Sequence, residues 1–234
     1  MKRIISENII FGYSEVSELI RSYILGVEAQ VEDSINRYYN SQKEQISDNL
    51  EFDDMPTLTH LGLDSGPWNL EEIFVEHFPN LLRRSALVTL FSFFESQLNE
   101  FCNVMKFNDS LQLSYKDISG QGIERSKKYL EKVIYLNLSE LLPVWNEIKI
   151  IQTIRNLIVH QDGEMDSLSE GLSKEINRYI RSKSPLLSDE RGIVIQSGYL
   201  LHAASVFEKY FKGLESMVEH TSIVENDNWD AFFR

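Results

Sequence analysis

The chain has one cysteine, Cys102, in 234 residues. That excludes an intrachain disulfide framework and any zinc site built on clustered thiolates. Proline and glycine are scarce, at 5 and 11 residues, which argues against a turn-rich β-sandwich. No apolar run approaches the roughly 18 residues a membrane-spanning helix needs. The first residues, Met-Lys-Arg-Ile-Ile-Ser-Glu-Asn, lack the apolar core of a secretory signal. The cytoplasm is therefore the expected location, with no membrane partner. Positive charge is also in deficit: 23 Lys and Arg stand against 36 Asp and Glu, a net charge of -13. Bulk electrostatics of that sign oppose passive binding to DNA or RNA. They oppose an enzyme less, because an enzyme needs only a local positive cleft.

Apolar periodicity is abundant. Apolar residues make up 42% of the chain, with 13 Phe, 10 Tyr and 3 Trp, so a large core can form without cross-links. From Ser14, a plausible N-cap, the residues Val16, Leu19, Ile20, Tyr23, Val27, Val31, Ile35 and Tyr38 recur at helical spacing. Gly26 is a candidate bend. Residues 51 to 78 carry turn signals at Pro56 and Gly66-Pro67 but also Leu58, Leu61, Trp68, Ile73, Phe74 and Phe78. The segment is expected to fold back onto the body, with His60 and His77 as packing or surface residues.

A second helix is expected from Pro79 to Met105. Leu87, Phe91, Phe94, Leu98, Phe101 and Met105 are spaced as a bundle seam. Cys102 reads as core, and Glu95 lies at the margin of the apolar face, poised to meet Arg155 or another cation. After a polar connection, Gly122 to Leu138 reads as an amphipathic helix bearing Arg125, Lys127, Lys128 and Lys132. Those cations could border a cleft for RNA phosphates, although a solvated face is the more common explanation of such a pattern. Pro143 restarts a helix in which Trp145, Ile148, Ile151, Ile154 and Ile158 point inward, with Ile150, Leu157 and Val159 widening the face. Leu168, Leu172, Ile176 and Ile180 permit a further helix ending before Pro185. Gly192 to Gly198 reads as a short strand, paired with Tyr179-Ile180 or with Ser184 to Leu187. The last helix spans Tyr199 to Glu219, and an acidic tail with Trp229, Phe232 and Phe233 follows, free to dock on the body or on a partner.

Chemistry concentrates in Ile151-Gln-Thr-Ile-Arg-Asn-Leu-Ile-Val-His160, and Gln161-Asp162-Gly163 then supplies a helix stop. Histidine exchanges protons near neutral pH and arginine stays charged. RNA cleavage by its own 2′-hydroxyl needs a base, an acid and charge stabilisation at phosphorus, and no metal. Five residues on a continuous α-helix turn by about 140° and rise about 7.5 Å. Arg155 and His160 share a face only if the helix ends early; otherwise a symmetric dimer must bring two copies together. Asn156 could orient a phosphate or the imidazole. The bland alternatives are a helix-capping His160 and an Arg155 that satisfies Glu95 or another internal carboxylate.

The stretch Arg155-Asn156-Leu-Ile-Val-His160 resembles the signature of the HEPN superfamily, an arginine and a polar residue followed, after three variable positions, by histidine. Leu90-Phe-Ser-Phe-Phe-Glu95-Ser96 and Leu98-Asn99 resemble the early helix of its large RNase-toxin members. The resemblance implies a mainly α, up-and-down helical bundle, here with a small β-hairpin insertion. The resemblance covers a core at approximately 80-220; the chain as a whole reads as one domain over residues 1-234, with an N-terminal helical extension at 13-78. The resemblance further implies a homodimer with a composite cleft and metal-independent endoribonuclease activity without a cofactor, in a toxin–antitoxin or anti-phage defence setting. Arg155 and His160 match the catalytic pair, Asn156 the adjoining polar position and Glu95 an acidic position of the early helix. An antitoxin or defence-system protein is the implied protein partner. Some members carry a tyrosine two residues after the histidine, where antitoxins modify it; this chain has Asp162. Other members are non-catalytic dimerisation or adaptor proteins, the competing expectation.

Overall fold

The computed structural model describes the backbone of residues 3–49, 57–189 and 192–232, and the side chains of residues 16–47, 57–189 and 192–218. Among these residues there are six α-helices and two small antiparallel hairpins. The helices are α1 (Arg3–Asn49), α2 (Phe78–Asn108), α3 (Gly122–Lys132), α4 (Leu142–Gln161), α5 (Glu170–Ser182) and α6 (Tyr199–Phe232). The strands are β1 (Thr59–His60), β2 (Leu63–Asp64), β3 (Leu187–Asp189) and β4 (Ile193–Ile195). None of the helices is long and apolar enough to cross a membrane.

Helix α2 lies at the centre, packed on α1, α3, α4 and α6. Its seam is the one its spacing demands: Leu87, Phe91, Phe94, Leu98, Phe101 and Met105 are all buried. Phe94 stacks on Phe207 of α6 at 4.5 Å between ring centroids and meets Phe211 edge-on at 5.5 Å. Trp145 of α4 packs against Tyr210 at 5.2 Å. Each such side chain contributes about 1.5–3 kcal/mol on leaving water, and offset or edge-on rings add to that. Cys102 is part of this core. Burial pushes its thiol up to about 12, and it donates weakly to the Ser126 carbonyl.

Helix α2 continues a preceding π-helical segment, Glu72–His77. The wider π turn shifts the phase of the apolar pattern. Phe74 consequently faces a smaller cluster with Tyr38 and Leu70 rather than the main core. His60 of the first hairpin meets Tyr38 and Phe74 edge-on, so it is the packing histidine the sequence suggests. Leu58 and Leu63 pack on the same cluster, which confirms that the described part of 51 to 78 folds back; Leu61 and Trp68 stay exposed. Pro56 lies outside the described residues.

Several expected boundaries move. Helix α1 already includes Ser14, which is therefore not an N-cap. Among the described residues its buried apolar positions are Ile24, Val31 and Tyr38, while Leu19 and Tyr23 face solvent. A wholly apolar reading of that face merged two neighbouring stripes. Helix α3 stops at Lys132 instead of Leu138, because the chain enters a left-handed turn at Tyr135. Leu138–Leu141 then forms a 3-10 turn that runs into α4. Strand β4 pairs with Leu187–Asp189, which overlaps at Leu187 the second of the two expected partners and runs two residues beyond it. Helix α6 extends through Phe232, so the tail backbone up to that residue is helical; the side chains of Trp229, Phe232 and Phe233 lie outside the described residues.

Candidate functional site

Helix α4 begins with Pro143 in its first turn and buries Trp145, Ile148, Ile151, Ile154 and Leu157 on one side. Val159 lies on the opposite side and is exposed, against the expectation that it widens the core face. The helix runs unbroken through His160 and Gln161. Arg155 and His160 therefore leave it about 140° apart. His160 is exposed in the last turn.

Arg155 lies partly buried beside α2. Its guanidinium carbon is 5.9 Å from the centroid of the Phe91 ring. One guanidinium nitrogen, Nη1, donates to Asn156 Oδ1 at 2.9 Å. Its Nε is buried with no hydrogen-bond partner. Arg155 and His160 form no ion pair among the described residues. Glu95 does not meet Arg155 in an ion pair either. It lies instead at the start of α3, where a side chain on Gly122 would come within 3.3 Å of its Oε1 and 3.9 Å of Gln152 Nε2. Gly122 has φ of +53°, so the close approach and the backbone conformation favour glycine together.

The basic residues of α3 are largely engaged locally. Arg125 lies over the Tyr115 ring at 5.4 Å, and Lys128 donates to Ser119 Oγ at 2.8 Å. Lys127 pairs with Glu131 at 2.9 Å and covers the Trp145 ring. Lys132 is exposed. Among the described residues, no group of His, Cys, Asp and Glu side chains is arranged to hold a metal ion.

No protein-family model matches this chain, and no curated protein or solved structure is significantly similar to it.

Two polar assemblies escaped the sequence reading, one of them in part and the other entirely. The first locks the end of α4. Asp162 takes up a left-handed conformation at φ of +50°, followed by Gly163 at +84°, and Gly163 N–H donates to the Leu157 carbonyl at 3.0 Å. This is a left-handed helix stop. Buried Arg84 of α2 then grips it: Nη1 donates to Asp162 Oδ1 at 2.8 Å, while Nε and Nη2 donate to the Ile193 carbonyl at 3.0 and 2.7 Å. Ile193 N–H donates to the Gly163 carbonyl at 3.0 Å, and Ile195 N–H to Asn80 Oδ1 at 2.9 Å. The helix end, β4 and α2 are thereby joined. A polar cleft of about 620 Å³ opens beside them, between the π-helical segment and the second hairpin. The Asp162-Gly163 pair was the legible half of this assembly; Arg84 sits in an apolar helix with nothing local to mark its role.

The second assembly centres on Glu147, also on α4. Its Oε1 accepts from Lys183 Nζ at 2.7 Å, from His202 Nε2 at 2.8 Å and from Tyr179 OH at 3.2 Å. Its hydrogen bond with His202, and then that with Lys183, hold its carboxyl well down, at about 2. The four residues come from α4, α6 and the α5 end, separated by up to 55 positions in sequence, so no spacing rule could have found them.

Proposed function

We propose that the protein is a metal-independent endoribonuclease of HEPN type whose site is completed by a second copy of the chain, acting as a toxin or an anti-phage defence effector. The observation that carries this reading is the placement of Arg155 and His160. Both stand at the end of a helix whose other face is fully buried, and neither is consumed by an internal carboxylate. An arginine kept only for stability is ordinarily paired, as Arg83 is with Glu28 at 2.8 Å. Because α4 continues through His160, the two side chains diverge, and a symmetric pair of helices offers the simplest way to converge two imidazoles and two guanidiniums on one phosphate.

In that arrangement one His160 withdraws the proton of the ribose 2′-hydroxyl. Its symmetry mate protonates the 5′-oxygen that leaves, and the 2′,3′-cyclic phosphate forms. Arg155 stabilises the charge that builds on the non-bridging oxygens. Its hydrogen bond to Asn156 and its seat over Phe91 restrict its rotamers before substrate arrives. Exposed Lys132, with Arg125 and Lys128 once freed from their local contacts, would meet flanking phosphates.

The test is cleavage of total cellular RNA in EDTA by wild type, Arg155→Ala and His160→Ala, with mass measured in solution. Cutting by a dimeric wild type and loss in both variants supports the reading. A folded, dimeric wild type that cuts none of a broad RNA set points instead to a non-catalytic adaptor that binds a protein partner.

A further inference from the structure

Exposed C-terminal turns of helices fray, because their last carbonyls lack partners. The last turn of α4 carries His160, and it is tied down from outside the helix. Arg84 is the tie. Its side chain is 7% exposed, and all three of its nitrogens are committed: one to Asp162, two to Ile193. A Cβ on Gly163 would lie 2.6 Å from Arg84 Nη2, so the guanidinium is packed directly under the turn. Gly192 closes the other side, where a Cβ would lie 3.2 Å from the Gly163 carbonyl.

The main-chain stop and the Arg84 grip act on the same two residues, Asp162 and Gly163. The stop alone would end the helix. The grip adds a fixed position relative to α2, the helix on which Arg155 rests through Phe91. Arg84 and Phe91 are seven residues apart on α2, about two helical turns or 10.5 Å. One rigid helix thus sets where Arg155 sits and where the turn bearing His160 ends. We infer that Arg84, through Asp162, is a positioning residue that holds His160 in register with Arg155; this rests on the ribonuclease reading for its consequence in catalysis, but not for its consequence in structure.

Replacing Arg84 itself risks the fold, since α2, β4 and the helix end all depend on it. Asp162 is the better handle. Its side chain is 83% exposed, and glycine accepts its left-handed backbone. Asp162→Gly removes the whole side chain, carboxylate included, while keeping the left-handed backbone accessible, whereas Asp162→Asn keeps an oxygen for Arg84 and tolerates the same conformation. Both are compared with wild type in RNA cleavage, thermal unfolding and proton–carbon NMR of the His160 imidazole, assigned by its loss in His160→Ala. For Asp162→Gly we expect kcat lowered roughly tenfold to a hundredfold with KM unchanged, and a shifted, motionally averaged His160 signal. Asp162→Asn recovers most of both. An unchanged His160 signal in Asp162→Gly, or no recovery in Asp162→Asn, overturns the inference. If wild type itself cuts no RNA, the ribonuclease reading fails and the imidazole signal alone decides whether Arg84 and Asp162 position the ring.

Discussion

Helix α4 carries two polar groups of opposite character. Near its start, Glu147 is saturated: a lysine, a histidine and a tyrosine converge on a single oxygen. Near its end, Arg155 holds only its neighbour Asn156 and an aromatic face, and His160 stands in solvent. Saturated clusters fasten elements together, and here Glu147 fastens α5 and α6 to α4. Unsaturated cations at a surface keep donors in hand for something outside the chain. The difference lies in partner counts, not in residue type, since each group contains a histidine and a cation.

The comparison breaks first if the two ends respond alike to mutation. His160→Ala and Arg155→Ala are each expected to lower RNA cleavage about 10²- to 10⁴-fold, with the thermal midpoint moved by no more than about 2 °C. Circular dichroism melts beside the cleavage assay would check this, and a large loss of stability would assign these residues to the fold. Next in size is Gly163→Ala. The added methyl meets Arg84 and the backbone sits at φ of +84°, so a loss of about 2–4 kcal/mol is expected from urea titration.

At the other end, Glu147→Gln should cost about 1–3 kcal/mol at pH 7 and leave cleavage intact. The pH dependence has a definite sign. Glu147 ionises at about 2 in the folded chain, against an ordinary value of 4.5. Its stabilisation is fully present above the ordinary value and disappears as pH falls through about 2. The gap between wild type and Glu147→Gln should therefore close progressively on acidification. A gap that stays constant to the lowest pH would remove the carboxylate from the account. The smallest expected effect is Asn156→Ala, about three- to tenfold in kcat, through a looser Arg155. A larger effect would make Asn156 a direct contact to RNA.

What the sequence disclosed follows from how far each interaction reaches along the chain. The α2 seam was legible because its rule is local: six apolar residues three or four apart can only line one helix face. The same rule misled at Leu19 and Tyr23, where apolar residues stand on a face that no other described element covers. The end of α4 was half legible. Asp162-Gly163 announces a left-handed stop, but Arg84 lies 78 residues earlier, and nothing near it in sequence foretells a bond to Ile193. Arg155, Asn156 and His160 were legible as a motif, and their surroundings were not: Phe91 beside Arg155, and Glu95 turned to Gly122, depend on how three helices pack.

The π-helical segment Glu72–His77 has a geometrical consequence of its own. It acts as a splice between two settings of one screw, with Phe74 timed to Tyr38 and Leu87 onward timed to the main core. Forcing that segment into plain α-helix with every residue kept would rotate everything before it by about 100°. The arm built on Tyr38, His60 and Phe74 would then come undone while the seam from Leu87 to Met105 stayed closed.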